Sequence, residues 1–113
     1  MKNYLICYYI LQQCLFETLE DDIAQLLSKM SPESTDDGTP ADPKTYQRWY
    51  KVIDSDNMND DEIKNKIAHR LELTAFEVPK TIELLQNTDI SYYIYQARER
   101  AEEFLSENNI KEE

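Results

Sequence analysis

The chain has 113 residues and a net charge of −11, from 12 lysines and arginines against 23 aspartates and glutamates. This length suits one domain, and a hydrophobic content of 41% suffices for one packed core. One glycine and four prolines are too few turn residues for a β-rich fold. The acidic residues occur throughout the chain, and their field repels nucleic-acid phosphates and anionic lipids and attracts basic proteins. We therefore expect one all-α domain over residues 1–113, without direct contact to nucleic acid or membranes.

Residues 3–30 predict one helix or two in succession. Apolar residues recur there at helical spacing, namely Leu11, Leu15, Phe16 and Leu19, then Ile23, Leu26, Leu27 and Met30. Residues 4–11 (YLICYYIL) are apolar on every side, as in a helix that is central in its bundle or covered by a partner. Their aromatic and β-branched side chains leave a β-strand open as the alternative.

The same apolar run bears on localisation and on the cysteines. It is too short to span a bilayer, and no small residues precede Cys14 as in a lipoprotein signal, so we expect a cytoplasmic protein. On one helix, Cys7 and Cys14 are separated by about 10.5 Å of rise. A disulfide tolerates roughly 7 Å between Cα atoms. We therefore expect two buried free thiols, as suits a reducing compartment.

Residues 31–42 form a predicted loop before the next helix. The loop holds two of the prolines and Gly38, which follows two aspartates as in a turn. Asp42 and Pro43 predict a helix start, because aspartate is a favoured N-cap and proline suits the first helical position. The predicted inward residues of this helix are Tyr46, Trp49, Tyr50 and Ile53.

An acidic break at residues 54–62 (DSDNMNDDE) comes before the second half of the chain. Asn59 and Glu62 are spaced as a capping box, which predicts a helix start. The inward residues of that helix are Ile63, Ile67 and Leu71.

Two more helices complete a predicted bundle of about five. The first begins either at another capping box, Thr74 with Glu77, or near Pro79, where a proline removes one helical hydrogen bond. Its inward residues are Val78, Ile82 and Leu85. The last helix begins near Asp89, and its inward residues are Ile90, Ile94, Ala97, Ala101 and Phe104.

No residue pattern indicates catalysis or a metal site. His69 is the only histidine, and no serine or cysteine beside it forms a recognisable nucleophile setting. A calcium loop counted from Asp54 would place Met58, Asn59 and Asn65 where an oxygen ligand, a glycine and a glutamate are needed. A single glycine excludes a glycine-rich phosphate loop. We expect no enzyme activity, no catalytic or metal-binding residue and no cofactor.

The positive signal is acidity combined with surplus aromatic residues. Eight tyrosines exceed what one small core needs, and two of them flank the inward stripe of the last helix. Tyrosines among carboxylates suit an interface with a basic surface. The alternative is that they lie at the core boundary with their hydroxyls in water. The predicted partner-binding residues are Asp54, Asp56, Asp60, Asp61, Tyr92 and Tyr95.

Part of the sequence resembles a group of small bacterial proteins. Residues 21–30 (DDIAQLLSKM), residues 37–43 (DGTPADP) and Trp49 resemble a pattern in which a DDLGxLL helix is followed by DGxPADPxxWxDW. The resemblance covers residues 20–53 and departs from the pattern where Ala24 and Gln25 stand in place of a glycine. Such proteins are often encoded near polymorphic toxins. The resemblance implies an immunity protein that neutralises a cognate toxin in the producing cell.

Three functional hypotheses follow from the sequence. The leading one is a non-catalytic protein inhibitor, an immunity protein or antitoxin, that blocks a basic effector such as a nuclease toxin. A second is a phage-type nucleic-acid mimic that occupies the basic groove of a defence enzyme. The third is a helical assembly module that forms a homodimer through its apolar N-terminal helix.

Overall fold

A computed structural model describes residues 1–32 and 42–110, and this part of the chain is helical without strands. The helices are α1 (Lys2–Thr18), α2 (Asp21–Met30), α3 (Pro43–Trp49), α4 (Asp60–Glu72), α5 (Pro79–Asn87) and α6 (Ser91–Glu107). The predicted all-α bundle is confirmed, with six helices instead of about five because residues 3–30 divide in two. The turn predicted at Gly38 lies outside the described residues. None of the helices described is both long and apolar enough to cross a membrane.

The central element of the fold is α1. Its buried residues are Tyr4, Leu5, Ile6, Cys7, Tyr8, Tyr9, Ile10, Leu11 and Cys14. Residues 4–11 are therefore helical and buried on every side, and the alternative of a β-strand is wrong. The most extensive packing of α1 is against α6, and α2, α3 and α5 cover its remaining sides.

α1 and α6 run antiparallel. Near the start of α6, the ring of Tyr93 lies close enough to Glu17 for the carboxylate to act on it electrostatically. Further along α6, the guanidinium of Arg100 lies 4.6 Å from the ring centre of Tyr9. Small side chains at Ala97 and Ala101, both buried as predicted, let the two helices approach closely.

Leu19 separates the first two helices and adopts a left-handed conformation with φ of 53°. Its amide donates to the carbonyl of Leu15 at 2.8 Å, and this hydrogen bond closes the end of α1. This turn ends the apolar stripe expected there. Phe16 is 62% exposed and Leu19 is 76% exposed, so their helical spacing did not mark buried positions. Leu19 lies in the turn after α1 ends, whereas Phe16 lies within α1 on the side that faces solvent.

Acidic residues at the start of α2 hold the start of α5. The carboxylate of Glu20 accepts hydrogen bonds from the amides of Lys80 and Thr81, each at 2.9 Å, and from the Thr81 hydroxyl at 2.8 Å. Two residues further on, Asp22 accepts the amide of Glu77 at 2.7 Å. Glu20 therefore acts as an N-terminal cap supplied by a distant part of the chain.

This arrangement resolves the two starts predicted for α5. The helix begins at Pro79, and its N-cap Val78 offers no side-chain hydrogen bond. The alternative capping box is absent, because the Thr74 hydroxyl donates backwards to the carbonyl of Leu71 at 2.8 Å and Glu77 is bonded to Asp22 through its amide.

Other helix starts form as predicted. Asp42 accepts the amide of Lys44 at 3.1 Å, and Asn59 and Glu62 form a reciprocal capping box. Trp49 and Ile53 are buried. The expectation for Tyr50 is wrong, because Tyr50 is 38% exposed and stacks on the outside of Tyr46 with ring centres 5.4 Å apart.

Replacing Glu20 by alanine is expected to lower the free energy of unfolding by roughly 1–2 kcal/mol, because the amides at the start of α5 and the buried Thr81 hydroxyl lose their acceptor. Urea denaturation followed by circular dichroism measures the loss. The matched control is Glu83→Ala, which removes the same charge from an exposed position of α5. Equal effects of the two substitutions would contradict the capping role.

Cys7 and Cys14 are buried free thiols, as predicted. Burial raises the pKa of both, and that of Cys14 reaches about 12. Since the thiolate is the reactive form, a thiol-specific disulfide reagent is expected to label neither cysteine in the native protein at neutral pH and both in urea. Rapid labelling of either thiol before unfolding would contradict this packing of α1.

Candidate protein-binding surface

The acidic break at residues 54–62 is anchored to the core through Ser55. This residue is buried, and its amide and hydroxyl donate to the Asn3 side-chain oxygen at 3.0 and 2.7 Å. Its carbonyl accepts a hydrogen bond from Arg98 of α6 at 2.9 Å. The break is therefore held in place by the N-terminal turn of α1 and by the middle of α6.

The four predicted aspartates lie around this anchor. Asp54 and Asp56, on either side of Ser55, are both exposed. The carboxylate of Asp54 accepts the side-chain amide of Asn57 at 2.8 Å, which closes a local turn. Asp60 and Asp61 belong to the first turn of α4, where negative charge is favoured by the helix dipole. Two of the four therefore also stabilise a helix start.

The two predicted tyrosines lie on the solvent side of α6. Tyr92 is 65% exposed and accepts a hydrogen bond from the side-chain amide of Gln96 at 2.8 Å. Tyr95 is 59% exposed, and its hydrogen bond to the carboxylate of Glu99, together with the negative charge of that group, raises its pKa. Both rings are therefore presented to solvent with their hydroxyls held by neighbours on the same helix.

The predicted residues belong to neighbouring parts of the fold, namely the acidic break, the start of α4 and α6. Arg98, which binds the Ser55 carbonyl, lies one turn beyond Tyr95 on α6. The start of α6 also lies near the first turns of α4. Hydrogen bonds from Ser91 lower the pKa of Asp89, and the charge of Lys64 on α4 adds to that effect. We call Asp54, Asp56, Asp60, Asp61, Tyr92 and Tyr95 together the acidic surface.

Cations partly compensate this surface at its edges. The ammonium of Lys64 lies 3.6 Å from the carboxylate of Asp61, and that of Lys2 lies 3.3 Å from Glu102. Such exposed pairs are weak. Asp54 and Asp56 have no ion pair within the described part of the chain, so the surface keeps an excess of negative charge.

A group of basic residues toward the other end of α4 was not among the predicted site residues. Arg48 on α3 and Lys66 and Arg70 on α4 line neighbouring hollows of the surface. The spacing of Lys66 and Arg70 by four residues was a visible signal of one basic helix face. Arg48 joins them only through packing of α3 beside α4, which the sequence does not reveal. His69 is exposed on the same stretch, 4.0 Å from Glu72.

We also searched the described residues for a metal-binding group. No group of three or more His, Cys, Asp or Glu side chains in residues 1–32 and 42–110 is arranged to hold a metal ion. Comparisons with protein-family models, with curated proteins and with solved structures find no match to this chain.

Replacing Asn3 by alanine is expected to loosen the acidic break, because the buried Ser55 amide and hydroxyl lose their common acceptor. The expected cost is about 1–3 kcal/mol of unfolding free energy. Hydrogen exchange should speed up at the Ser55 amide more than at amides in the middle of α6. Asn65→Ala, at an exposed position of α4, is the matched control. An unchanged exchange rate at Ser55 would contradict the anchoring role.

Proposed function

We propose that the protein is a non-catalytic inhibitor that binds a basic protein through the acidic surface. The observation that carries the proposal is the exposure of Tyr92 and Tyr95, both more than half accessible, on α6, the helix whose Arg98 holds the acidic break through Ser55. Tyrosine is enriched in protein interfaces and among the residues that contribute most to binding, so two exposed tyrosines on one helix suit contact with a partner protein.

The properties of these tyrosines suit an interface. Tyrosine supplies a large contact area and loses little conformational entropy on binding, since it has only two side-chain torsions. The hydrogen bonds of Tyr92 with Gln96 and of Tyr95 with Glu99 restrict the rings further before a partner arrives. A ring that is already held in place loses less conformational entropy when the complex forms.

The carboxylates supply the second component, which is attraction over distance. Asp54 and Asp56 are exposed beside a rigid anchor. The net charge of −11 gives the whole molecule a field that accelerates encounter with a cationic protein. Association should therefore slow as salt is added, since screening shortens the range of this field.

The resemblance over residues 20–53 selects the kind of inhibitor. It implies an immunity protein or antitoxin that acts in the producing cell. A nuclease toxin fits the charge argument, because an enzyme that binds phosphates presents a basic surface. We therefore propose a cognate basic toxin, with nuclease activity, as the partner.

Two other functions have less support. A nucleic-acid mimic needs carboxylates in rows that follow phosphate spacing, whereas Asp60 and Asp61 lie in a helix cap. Assembly through the apolar N-terminal helix needs that helix at the surface. Residues 4–11 are instead covered by the rest of the same chain.

A photo-crosslinking amino acid at position 92 or 95, expressed in the native host, tests the proposal. We expect crosslinks to one basic protein from both positions and a lower yield in high salt. The matched control places the same group at Leu73, which is 62% exposed and lies just beyond the far end of α4. The crosslinked protein is then expressed in a naive host, where it should arrest growth unless this chain is co-expressed.

Substitution separates binding from folding. Replacing Tyr92 and Tyr95 together by alanine should weaken binding by about 2–4 kcal/mol, as for interface anchors, and leave the unfolding free energy within about 0.5 kcal/mol. Isothermal titration with the purified partner and urea denaturation measure the two quantities. An acidic partner, equal crosslinking from Leu73, or a partner that does not arrest growth would contradict the proposal.

A further inference from the structure

A cavity of about 410 Å³ lies between the end of α2, the helix α3 and the end of α4. Its wall contains three cationic side chains, Lys29, Arg48 and Arg70, with the rings of Trp49 and Phe76 beside them. No carboxylate lines it within residues 1–32 and 42–110. The described wall of the cavity therefore carries positive charge in a chain whose net charge is −11.

Arg70 indicates which class of ligand the cavity favours. Its Nε atom is buried and has no hydrogen-bond partner in the part of the chain that the structure describes. Buried donors are almost always paired in native proteins, so the unpaired Nε shows that no described acceptor satisfies this atom of Arg70. The Nη groups of a guanidinium can donate charge-assisted hydrogen bonds to the oxygens of a phosphate or carboxylate group.

Positive charge continues outside the cavity. Arg48 and Arg70 also line a shallower neighbouring hollow of about 320 Å³, together with Lys51 and Lys66. Cations grouped in this way raise the local potential and favour an anion at the point they share. That point lies at Arg48 and Arg70, the two cationic residues common to both hollows.

A nearby carboxylate, that of Asp42, already accepts hydrogen bonds from α3. The carboxylate of Asp42 accepts the hydroxyl of Thr45 at 2.8 Å and the amide of Lys44 at 3.1 Å, as the cap of α3. Lys29 acts on Asp42 only electrostatically, and its ammonium lies 5.7 Å from the ring centre of Phe76. Neither arginine is neutralised by this contact.

We propose that the cavity binds the phosphate group of a small phosphorylated ligand at Arg48 and Arg70. The volume is within the range of small-molecule sites, roughly 300–1,000 Å³. Trp49 and Phe76 supply an apolar wall for the group that the phosphate carries. A polynucleotide is disfavoured, because the acidic chain repels a long row of phosphates while a single phosphate responds mainly to the nearest cations.

Titration of the full chain with three probes tests the site, namely 5′-AMP, inorganic phosphate and adenosine. Trp49 is the only tryptophan, is 1% exposed and lines the cavity, so its fluorescence reports on occupancy. We expect saturable binding of 5′-AMP and of phosphate, with phosphate the weaker, and no binding of adenosine. Calorimetry under the same low-salt conditions gives an independent measurement.

Arg70→Gln and Arg48→Gln are each expected to weaken 5′-AMP binding at least about tenfold, because each removes charge-assisted hydrogen bonds to the phosphate. Arg48 is exposed, so its replacement leaves the core intact even if Arg70→Gln affects folding. Lys80→Gln is the matched control. It removes an exposed cation of α5 that lines neither hollow, and it should change the affinity less than about twofold.

Four results would overturn the proposal. The first is no saturable binding of 5′-AMP or phosphate, and the second is adenosine binding as tightly as 5′-AMP. The third is an effect of Lys80→Gln equal to that of Arg70→Gln, and the fourth is tighter Arg70-dependent binding of an oligothymidylate. The last result would assign the cavity to a nucleic acid. Tyr92 and Tyr95 lie outside this cavity, so each of these results leaves the proposed inhibitor function to its own test.

Discussion

The fold depends on the burial of one helix on all its sides. Residues 4–11 of α1 expose almost nothing to solvent, and such a helix is stable in water only when other elements surround it completely. Four helices do so, with antiparallel α6 providing the largest area. Polar contacts at the first turns then fix the surrounding elements, as where the hydroxyl of Tyr4 donates to the carbonyl of Met30. The aromatic ring that fills the core thus also holds the end of α2.

Carboxylates serve two different purposes in this acidic protein. Glu20, Asp22 and Asp42 accept backbone amides, and the first two join parts of the chain more than 50 residues apart. These groups cannot serve recognition without loss of structure. Asp54 and Asp56 are exposed on a segment whose position is secured by Ser55 between them. The division explains how a strongly negative chain can be both well packed and available to a cationic partner.

Charge is segregated along α4 and its surroundings. Acidic residues occupy the first turn, and the basic residues His69 and Arg70 occupy the last turn. The charges at both ends therefore interact favourably with the helix dipole. Ten residues of helix separate Asp60 from Arg70 by about 15 Å, which exceeds the screening length of roughly 8 Å in physiological salt. A negative and a positive surface can therefore act independently on one small domain, as the two proposals for this protein require.

The sequence by itself determined the helices, because helical periodicity and capping are local. The capping box at Asn59, the cap at Asp42 and the buried stripe of α6 formed as predicted. Tertiary structure decided what local patterns cannot encode. Tyr50 is exposed because Tyr46 lies between it and the core, and Glu20 caps α5 across 60 residues. The acidic residues of the candidate surface are largely consecutive in the sequence and could be predicted from it, whereas the basic cavity could not. Its cations come from three separate helices, and only packing brings them together.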